Sequence, residues 1–238
     1  MLCFFMSESS LITRIFFIIT YGWASLAEFI KCQFLYGIPY RMLWIELGLF
    51  WQYPFLSPHR INLRYIKENG LSKSFLFGET PLTALEKICK RANIPKESIF
   101  FDVGCGWGRS TFFLHAYNKA HRTIGIDIIP EYIQKAEKIR KWMKLEYMVF
   151  LEADFRKVDY SDADVIYLYG TCLPDETINI LVERWESQLL EGTIVITTSY
   201  SLSSYTTTDR IQLYDSVEID YIWGKCTVYY HTITDDPA

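Results

Sequence analysis

The chain has 238 residues, of which half are hydrophobic and 17% are aromatic, a composition that excludes bulk disorder and suits one domain with an extension. Its formal net charge of −4 argues against strong binding to nucleic acid and is compatible with a basic peptide as partner. The six cysteines and four histidines lie far apart, so we predict reduced thiols in a cytoplasmic protein and neither disulfides nor a metal site.

Residues 1–56 form a predicted helical extension that carries few charges and many aromatic residues. An apolar run over 15–27 stops at Glu28, short of the ~20 residues that span a bilayer, and a second run over 42–51 has Glu46 at its centre. Two interpretations stay open. The helices pack on the following domain, or they contact a membrane interface with Trp and Tyr at headgroup depth.

Residues 57–80 are predicted to be an irregular connecting segment between this extension and a domain over 81–238. The segment ends in Gly78-Glu-Thr-Pro81, where a hydroxyl residue followed by proline is typical of a helix start. We expect the helix to continue to about Ala92, because apolar residues recur on one face of it.

From residue 98 onward, predicted strands and helices alternate. Strands are expected at 99–103, 122–127, 147–151, 164–169, 193–198, 212–222 and 225–233, and helices after 108, over 130–144 and from 174 to about 189. Repeated strand–helix units predict a mainly parallel α/β sheet with helices on both faces, closed by a C-terminal β-hairpin.

The segment Asp102-Val-Gly-Cys-Gly-Trp-Gly108 follows the first of these strands and predicts a ligand-binding turn. Its spacing is G-x-G-x-G, which differs from the dinucleotide pattern G-x-G-x-x-G. A carboxylate at Asp102 would repel a pyrophosphate but suits an ammonium group, and Asp127 ends the second strand where a carboxylate can bind ribose hydroxyls. The pattern therefore favours S-adenosylmethionine over NAD, with these expected contacts: Asp102, Gly104, Cys105, Gly106, Gly108, Asp127 and Ile128.

Two later strand ends add candidate residues. Asp154 and Phe155 follow the third strand, where class I methyltransferases contact adenine with an acidic and an aromatic side chain. Tyr169 ends the fourth strand. The Asn/Asp-Pro-Pro-aromatic motif of DNA amino-methyltransferases is absent there, so methylation of a nucleic-acid base is not favoured.

Several segments together resemble the non-SET histone lysine methyltransferases, the disruptor-of-telomeric-silencing family, and their bacterial relatives. They are Gly78-Glu-Thr-Pro81, the glycine turn, Arg140-Lys-Trp-Met-Lys144, Ala153-Asp-Phe155 and the closing stretch from Trp223 to Ile233. The resemblance implies a Rossmann-like class I methyltransferase sheet with a C-terminal hairpin. The sequence departs from the family pattern at 169–174, a segment that normally shapes the acceptor site in that family. No counterpart of the family's lysine-rich nucleosome-binding extension is expected.

The resemblance also implies roles for individual residues. Glu79 and Thr80 would help to hold the methionine end of the cofactor, and Tyr229 would line a narrow lysine channel. Apart from the resemblance, Tyr169 and Trp223 are candidates to complete an aromatic channel with Tyr229, and the alternative that these aromatic residues belong to the core stays open. A neutral amine is needed for methyl transfer, and an aromatic channel can lower the pKa of a lysine by removing water.

Three functions follow from these observations. The first is methylation of a lysine in a protein substrate. The second is methylation of a small molecule or lipid, with residues 1–56 as a lid or anchor, and the third is cofactor binding without turnover. The sequence leaves the acceptor and the oligomeric state open.

Overall fold

The computed structural model describes residues 40–53, 58–71, 77–118, 120–221 and 224–235. Most of the predicted N-terminal extension, residues 1–39, lies outside them, and so does Trp223. The helices in the described ranges are α1 (Tyr40–Gln52), α2 (Pro58–Glu68), α3 (Leu82–Ala92), α4 (Arg109–Asn118), α5 (Pro130–Trp142) and α6 (Asp175–Gln188). The strands are β1 (Ile99–Val103), β2 (Arg122–Asp127), β3 (Met148–Glu152), β4 (Val165–Tyr169), β5 (Ile194–Thr198), β6 (Ile211–Tyr221) and β7 (Gly224–Ile233).

The predicted strands are confirmed to within one residue at each end that the structure describes. The helix predicted over 130–144 ends at Trp142, because Lys144 adopts a left-handed conformation with φ of 52°. Short 3-10 turns at Phe155–Lys157 and Leu202–Ser204 follow β3 and β5.

The prediction of an irregular segment over 57–80 was wrong for residues 58–68, which form α2. Pro58 is the first helical residue, a position where proline needs no amide partner. The helix buries Ile61, Asn62 and Ile66, and Gly70 ends it with φ of +62°. The short helix escaped prediction because its apolar residues are few and interrupted by charged ones.

The described strands form a single sheet in the order β3-β2-β1-β4-β5-β7-β6. The first five are parallel, whereas β7 runs antiparallel to β5 and pairs with β6 in the predicted hairpin. The strand order reverses between β1 and β4, so the crevice at their carboxyl ends is the place where such sheets bind ligands.

Two apolar layers cover the sheet. One contains α1, α3, α4 and α5, and the other contains α6 together with the segments that follow β3 and β5. Helix α1 packs against α4 and α5 and buries Met42, Ile45 and Leu49 in the first layer. This part of the N-terminal extension therefore packs on the α/β core, while the division into domains at 56 and 80 stays a prediction.

Candidate functional site

A pocket opens at the carboxyl ends of β1, β2 and β4, where the strand order reverses. Its inner wall consists of the glycine turn after β1, the end of β2 and the segment that follows β4. Its outer wall comes from α2 and from Phe77 and Gly78. The predicted contacts that line it are Gly104, Gly106, Asp127, Ile128, Phe155 and Tyr169.

The glycine turn has the backbone that its sequence predicts. Gly104, Gly106 and Gly108 adopt φ of +76°, +55° and +90°, which residues with a Cβ rarely adopt. A Cβ at Gly104 would meet no atom within 4 Å, so the backbone there is open to a ligand. A Cβ at Gly108 would instead approach the Phe150 ring to 2.8 Å, so this glycine permits α4 to pack closely on the sheet.

Asp127 ends β2 and forms hydrogen bonds with the glycine turn and with the segment before α5. Its Oδ2 accepts a hydrogen bond from the Gly106 amide and its Oδ1 accepts one from the Ile129 amide, each at 2.9 Å. Burial raises the pKa of Asp127 to about 6, although these two amides oppose the shift. Each carboxylate oxygen retains acceptor capacity for a further hydroxyl, as a ribose requires.

Asp102 points towards the first turn of α4. Its Oδ2 accepts hydrogen bonds from Ser110 Oγ at 2.7 Å and Thr111 Oγ1 at 2.6 Å, and only 2% of the residue is exposed. Burial raises the pKa of Asp102 to about 6. Among the described residues, Asp102 does not belong to the pocket lining, so its contact with an ammonium group stays a prediction.

Glu79 and Thr80 approach the site from the segment before α3, and both make interactions within the protein. Glu79 Oε1 accepts a hydrogen bond from Arg109 Nη1 at 2.7 Å, and Arg109 Nε donates to Glu46 Oε1 at 2.7 Å. Arg109 is buried and follows the last glycine of the turn. A buried ion network therefore joins α1, the segment before α3 and the start of α4.

The hydroxyl of Thr80 lies in a buried cluster behind the pocket. Its Oγ1 is 2.6 Å from the hydroxyl of Tyr167, which lies 3.5 Å from Thr198 Oγ1. Burial raises the pKa of Tyr167 well above its ordinary value, so its phenol stays neutral. Thr80 therefore takes part in a buried hydroxyl cluster and does not itself line the pocket.

The other predicted cofactor residues divide into two groups. Ile128 is exposed and Phe155 is half-buried, and both line the pocket. Cys105 is buried, and burial raises the pKa of its thiol well above the ordinary value. Asp154 accepts hydrogen bonds from the backbone amide and the guanidinium of Arg156, which lower its pKa.

The two predicted acceptor residues that the structure describes, Tyr169 and Tyr229, are not brought together. Tyr169 lines the pocket and packs on Gly78, and its ring stacks on Tyr221 with centroids 6.3 Å apart. Tyr229 pairs with Thr197 in β5, and strand alternation places it on the sheet face opposite to Tyr169. Trp223 lies outside the described residues.

Two features were not predicted from the sequence: the stacking of Tyr221 on Tyr169, and the contribution of α2 to the pocket. Tyr221 is the last residue of β6, and only the register of the hairpin reveals which face it occupies. The one visible signal for the ion network was a glutamate, Glu46, at the centre of an apolar run.

Comparisons with known proteins point to methyl transfer. The ANTKMT methyltransferase domain family matches residues 102–209. A protein-lysine N-methyltransferase from Saccharolobus islandicus (strain REY15A) is 23% identical over 137 residues, which are 57% of this chain and 83% of that protein.

Solved structures share the fold. An RNA methyltransferase from Salinibacter ruber, in complex with S-adenosyl-L-homocysteine, aligns with a TM-score of 0.54 and 25% identity over 67% of this chain and 95% of its own. The tRNA methyltransferase TrmK from B. subtilis aligns with a TM-score of 0.54 and 16% identity over 63% of this chain and 65% of its own.

The pocket fits S-adenosylmethionine, since the open backbone at Gly104 admits a close ligand and Asp127 offers acceptors for ribose hydroxyls. The comparisons agree with this chemistry and confirm the class that the sequence predicts. The chain is a class I S-adenosylmethionine-dependent methyltransferase.

Proposed function

We propose that the chain methylates the side-chain amine of a lysine in a protein substrate. The observation that carries this proposal is the aromatic pair Tyr169 and Tyr221, stacked beside the pocket at the end of β4. The Saccharolobus islandicus relative is a protein-lysine N-methyltransferase, and the match to the ANTKMT methyltransferase domain family supports the same reaction class.

For the cofactor, we propose that Asp127 binds the ribose and that Ile128 and Phe155 enclose the adenine, while Gly104 and Gly106 face the methionine portion. Asp102, Cys105, Gly108, Glu79, Thr80 and Asp154 then act as positioning residues, because their polar or packing groups are engaged within the protein. S-adenosylmethionine supplies the methyl group as a sulfonium, so a neutral amine is required on the acceptor side.

The acceptor side offers alignment and exclusion of water. Tyr169 and Tyr221 provide an apolar wall for an alkyl chain, and the hydroxyls of Thr80, Tyr167 and Thr198 lie behind it. Burial raises the pKa values of Tyr167 and Tyr221, so both phenols stay neutral and neither acts as a base. An environment of this kind favours the neutral amine by desolvation. Alignment of the amine with the methyl–sulfur bond of the cofactor then lowers the barrier to methyl transfer.

RNA is a competing acceptor, since the Salinibacter ruber relative is an RNA methyltransferase. Small molecules and lipids are the alternative acceptors that the sequence left open. The net charge of −4 does not favour RNA. The test is transfer of a tritiated methyl group by the full chain in an extract of cells that lack its gene. We expect base-stable label in the protein fraction that maps to lysine, with a Tyr221→Ala variant reduced at least about tenfold.

Two controls accompany this test. Tyr214→Ala, a half-exposed tyrosine on the same strand and away from the pocket, is the matched control and should retain activity. Cofactor binding by Tyr221→Ala separates loss of the acceptor wall from loss of the cofactor site. Label that appears in RNA or in the low-mass or lipid fraction, and not in protein, would contradict the proposal.

We also propose that α1 contacts a membrane interface through its outer face. Trp44, Leu47, Phe50 and Trp51 are exposed by 49%, 49%, 76% and 83%, and α1 buries a different set of residues against α4 and α5. None of the helices in the described ranges has the length and apolarity needed to cross a bilayer. An exposed aromatic face is typical of a helix that lies at the headgroup level of a membrane.

A further inference from the structure

Helix α2 presents one face to the cofactor pocket. Asn62, Tyr65 and Ile66, at positions i, i+3 and i+4, line it together with Leu71 and Phe77. They lie across the pocket from Asp127 and Ile128, at the end that holds the nucleoside in the arrangement proposed above. This wall belongs to the segment that sequence reasoning treated as a connection.

Three interactions fasten α2 over the pocket. Arg64 forms an ion pair with Glu131 at the start of α5, and Tyr132 Oη donates a hydrogen bond to the Pro58 carbonyl at 2.5 Å. From the other side, the Phe77 amide donates to Asn62 Oδ1 at 2.9 Å. Helix α2 is thereby held by the same helix whose first turn follows Asp127.

Tyr65 is the residue of this wall with both a ring and a polar group. It is half-buried, and its pKa is raised by burial and by the carboxylates of Asp127 and Glu152. Its hydroxyl is therefore protonated at neutral pH and can donate a hydrogen bond near the end of β2. A phenol that combines an apolar ring with a donor suits a nucleoside, which has a flat base and several acceptor atoms.

We propose that α2 is the outer wall of the cofactor site and that Tyr65 contacts the nucleoside of S-adenosylmethionine opposite Asp127 and Ile128. The helix also shields this end of the pocket from water, which strengthens the polar contacts of Asp127. The inference rests on the methyltransferase assignment and is independent of lysine as acceptor.

Calorimetric titration with S-adenosylhomocysteine tests the contact. We expect the full chain to bind, Tyr65→Ala to bind at least about tenfold more weakly, and Tyr65→Phe to fall between the two because it retains the ring. Leu63→Ala is the matched control: Leu63 lies two residues away on α2, is 43% exposed and does not line the pocket, so its affinity should match that of the unaltered chain.

Hydrogen exchange of the unaltered chain provides a second readout that a merely structural residue would not move. Amides of α2 should exchange more slowly when S-adenosylhomocysteine is present, and this measurement holds even where Tyr65→Ala fails to fold. Unchanged affinity in a folded Tyr65→Ala variant, or α2 amides that show no protection, would overturn the inference. Absence of binding by the unaltered folded chain would overturn the cofactor assignment as well.

Discussion

At the scale of single residues, the site depends on side chains that accept hydrogen bonds from the protein backbone and can still bind the ligand. Asp127 shows this best, since each of its carboxylate oxygens accepts a hydrogen bond from a backbone amide while the residue lines the pocket. Its position at the end of a strand was predictable from the sequence, because a carboxylate after an apolar run is easily recognised. The partners of Asp102 and Glu79 were not predictable, because they lie in the first turn of α4 and depend on the rotation of that helix.

His231 predicts a pH dependence of folding stability. It is completely buried, where Nε2 accepts a hydrogen bond from the Leu202 amide and Nδ1 donates to the Val195 carbonyl. Burial lowers its pKa from 6.5 to about 4, so the unfolded chain takes up the proton at a higher pH than the folded chain. This residue therefore contributes stability above pH 6.5, and up to roughly 3 kcal/mol of it is lost as the pH falls towards 4.

Chemical denaturation of the unaltered chain and of His231→Gln between pH 4 and 7.5 isolates this contribution. Asp102 and Asp127 change stability in the opposite direction over part of the range, because their pKa values are raised in the folded state, but they are present in both proteins. The stability advantage of the unaltered chain should shrink as the pH falls, while exposed His121→Gln follows the unaltered chain. Parallel curves for His231→Gln and the unaltered chain would contradict the assignment.

At the scale of elements, the prediction succeeded where local signals are strong. Short apolar strands bounded by Gly, Asp and Pro are recognisable in isolation, as β1 and β4 show. Helix α2 was missed because only part of one face is apolar, and its helical state is reinforced by Arg64 and Asn62 through distant partners. The role of Tyr229 at the acceptor stays a prediction; the hairpin register places Tyr229 on the sheet face opposite to Tyr169 and Tyr221, which no pattern within one strand reveals.

Helix α1 has a buried face and an exposed face. The inner face carries Glu46, whose bond to the buried Arg109 links the extension to the glycine turn and to Glu79. Since a buried arginine requires charged partners, this part of the extension belongs to the core around the site. The outer face carries the exposed aromatic residues and is the surface for which we propose membrane contact.

Sedimentation of the full chain with phosphatidylcholine vesicles tests the outer face of α1. We expect the chain to bind and the double variant Trp44→Ser, Trp51→Ser to bind at least about tenfold more weakly, because burial of large apolar side chains drives the contact. Tyr147→Ser is the control, since Tyr147 is 61% exposed and lies outside α1, just before β3. Binding that survives in the double variant, or no binding by the unaltered chain, would contradict this role.

At the scale of the whole molecule, the topology determines where the chemistry occurs. The reversal of strand order between β1 and β4 brings together the ends of β1, β2 and β4, which lie far apart in the sequence. Alternating strands and helices made the sheet predictable, and with it the inner wall of the pocket. The outer wall depends on how α2, Phe77 and Gly78 meet the carboxyl ends of the strands, which no local pattern encodes.

Cofactor binding at the end of β2 is the central claim, and calorimetric titration with S-adenosylmethionine and S-adenosylhomocysteine tests it most directly. We predict micromolar binding by the full chain and a loss of at least about a hundredfold in Asp127→Ala, since a carboxylate that accepts charged hydrogen bonds contributes about 1.5–3 kcal/mol for each. Asp162→Ala should bind as the unaltered chain does, since Asp162 precedes β4 whereas the pocket lies at the carboxyl ends of the strands. Wild-type affinity in a folded Asp127→Ala variant, or no binding by the folded unaltered chain, would contradict the account.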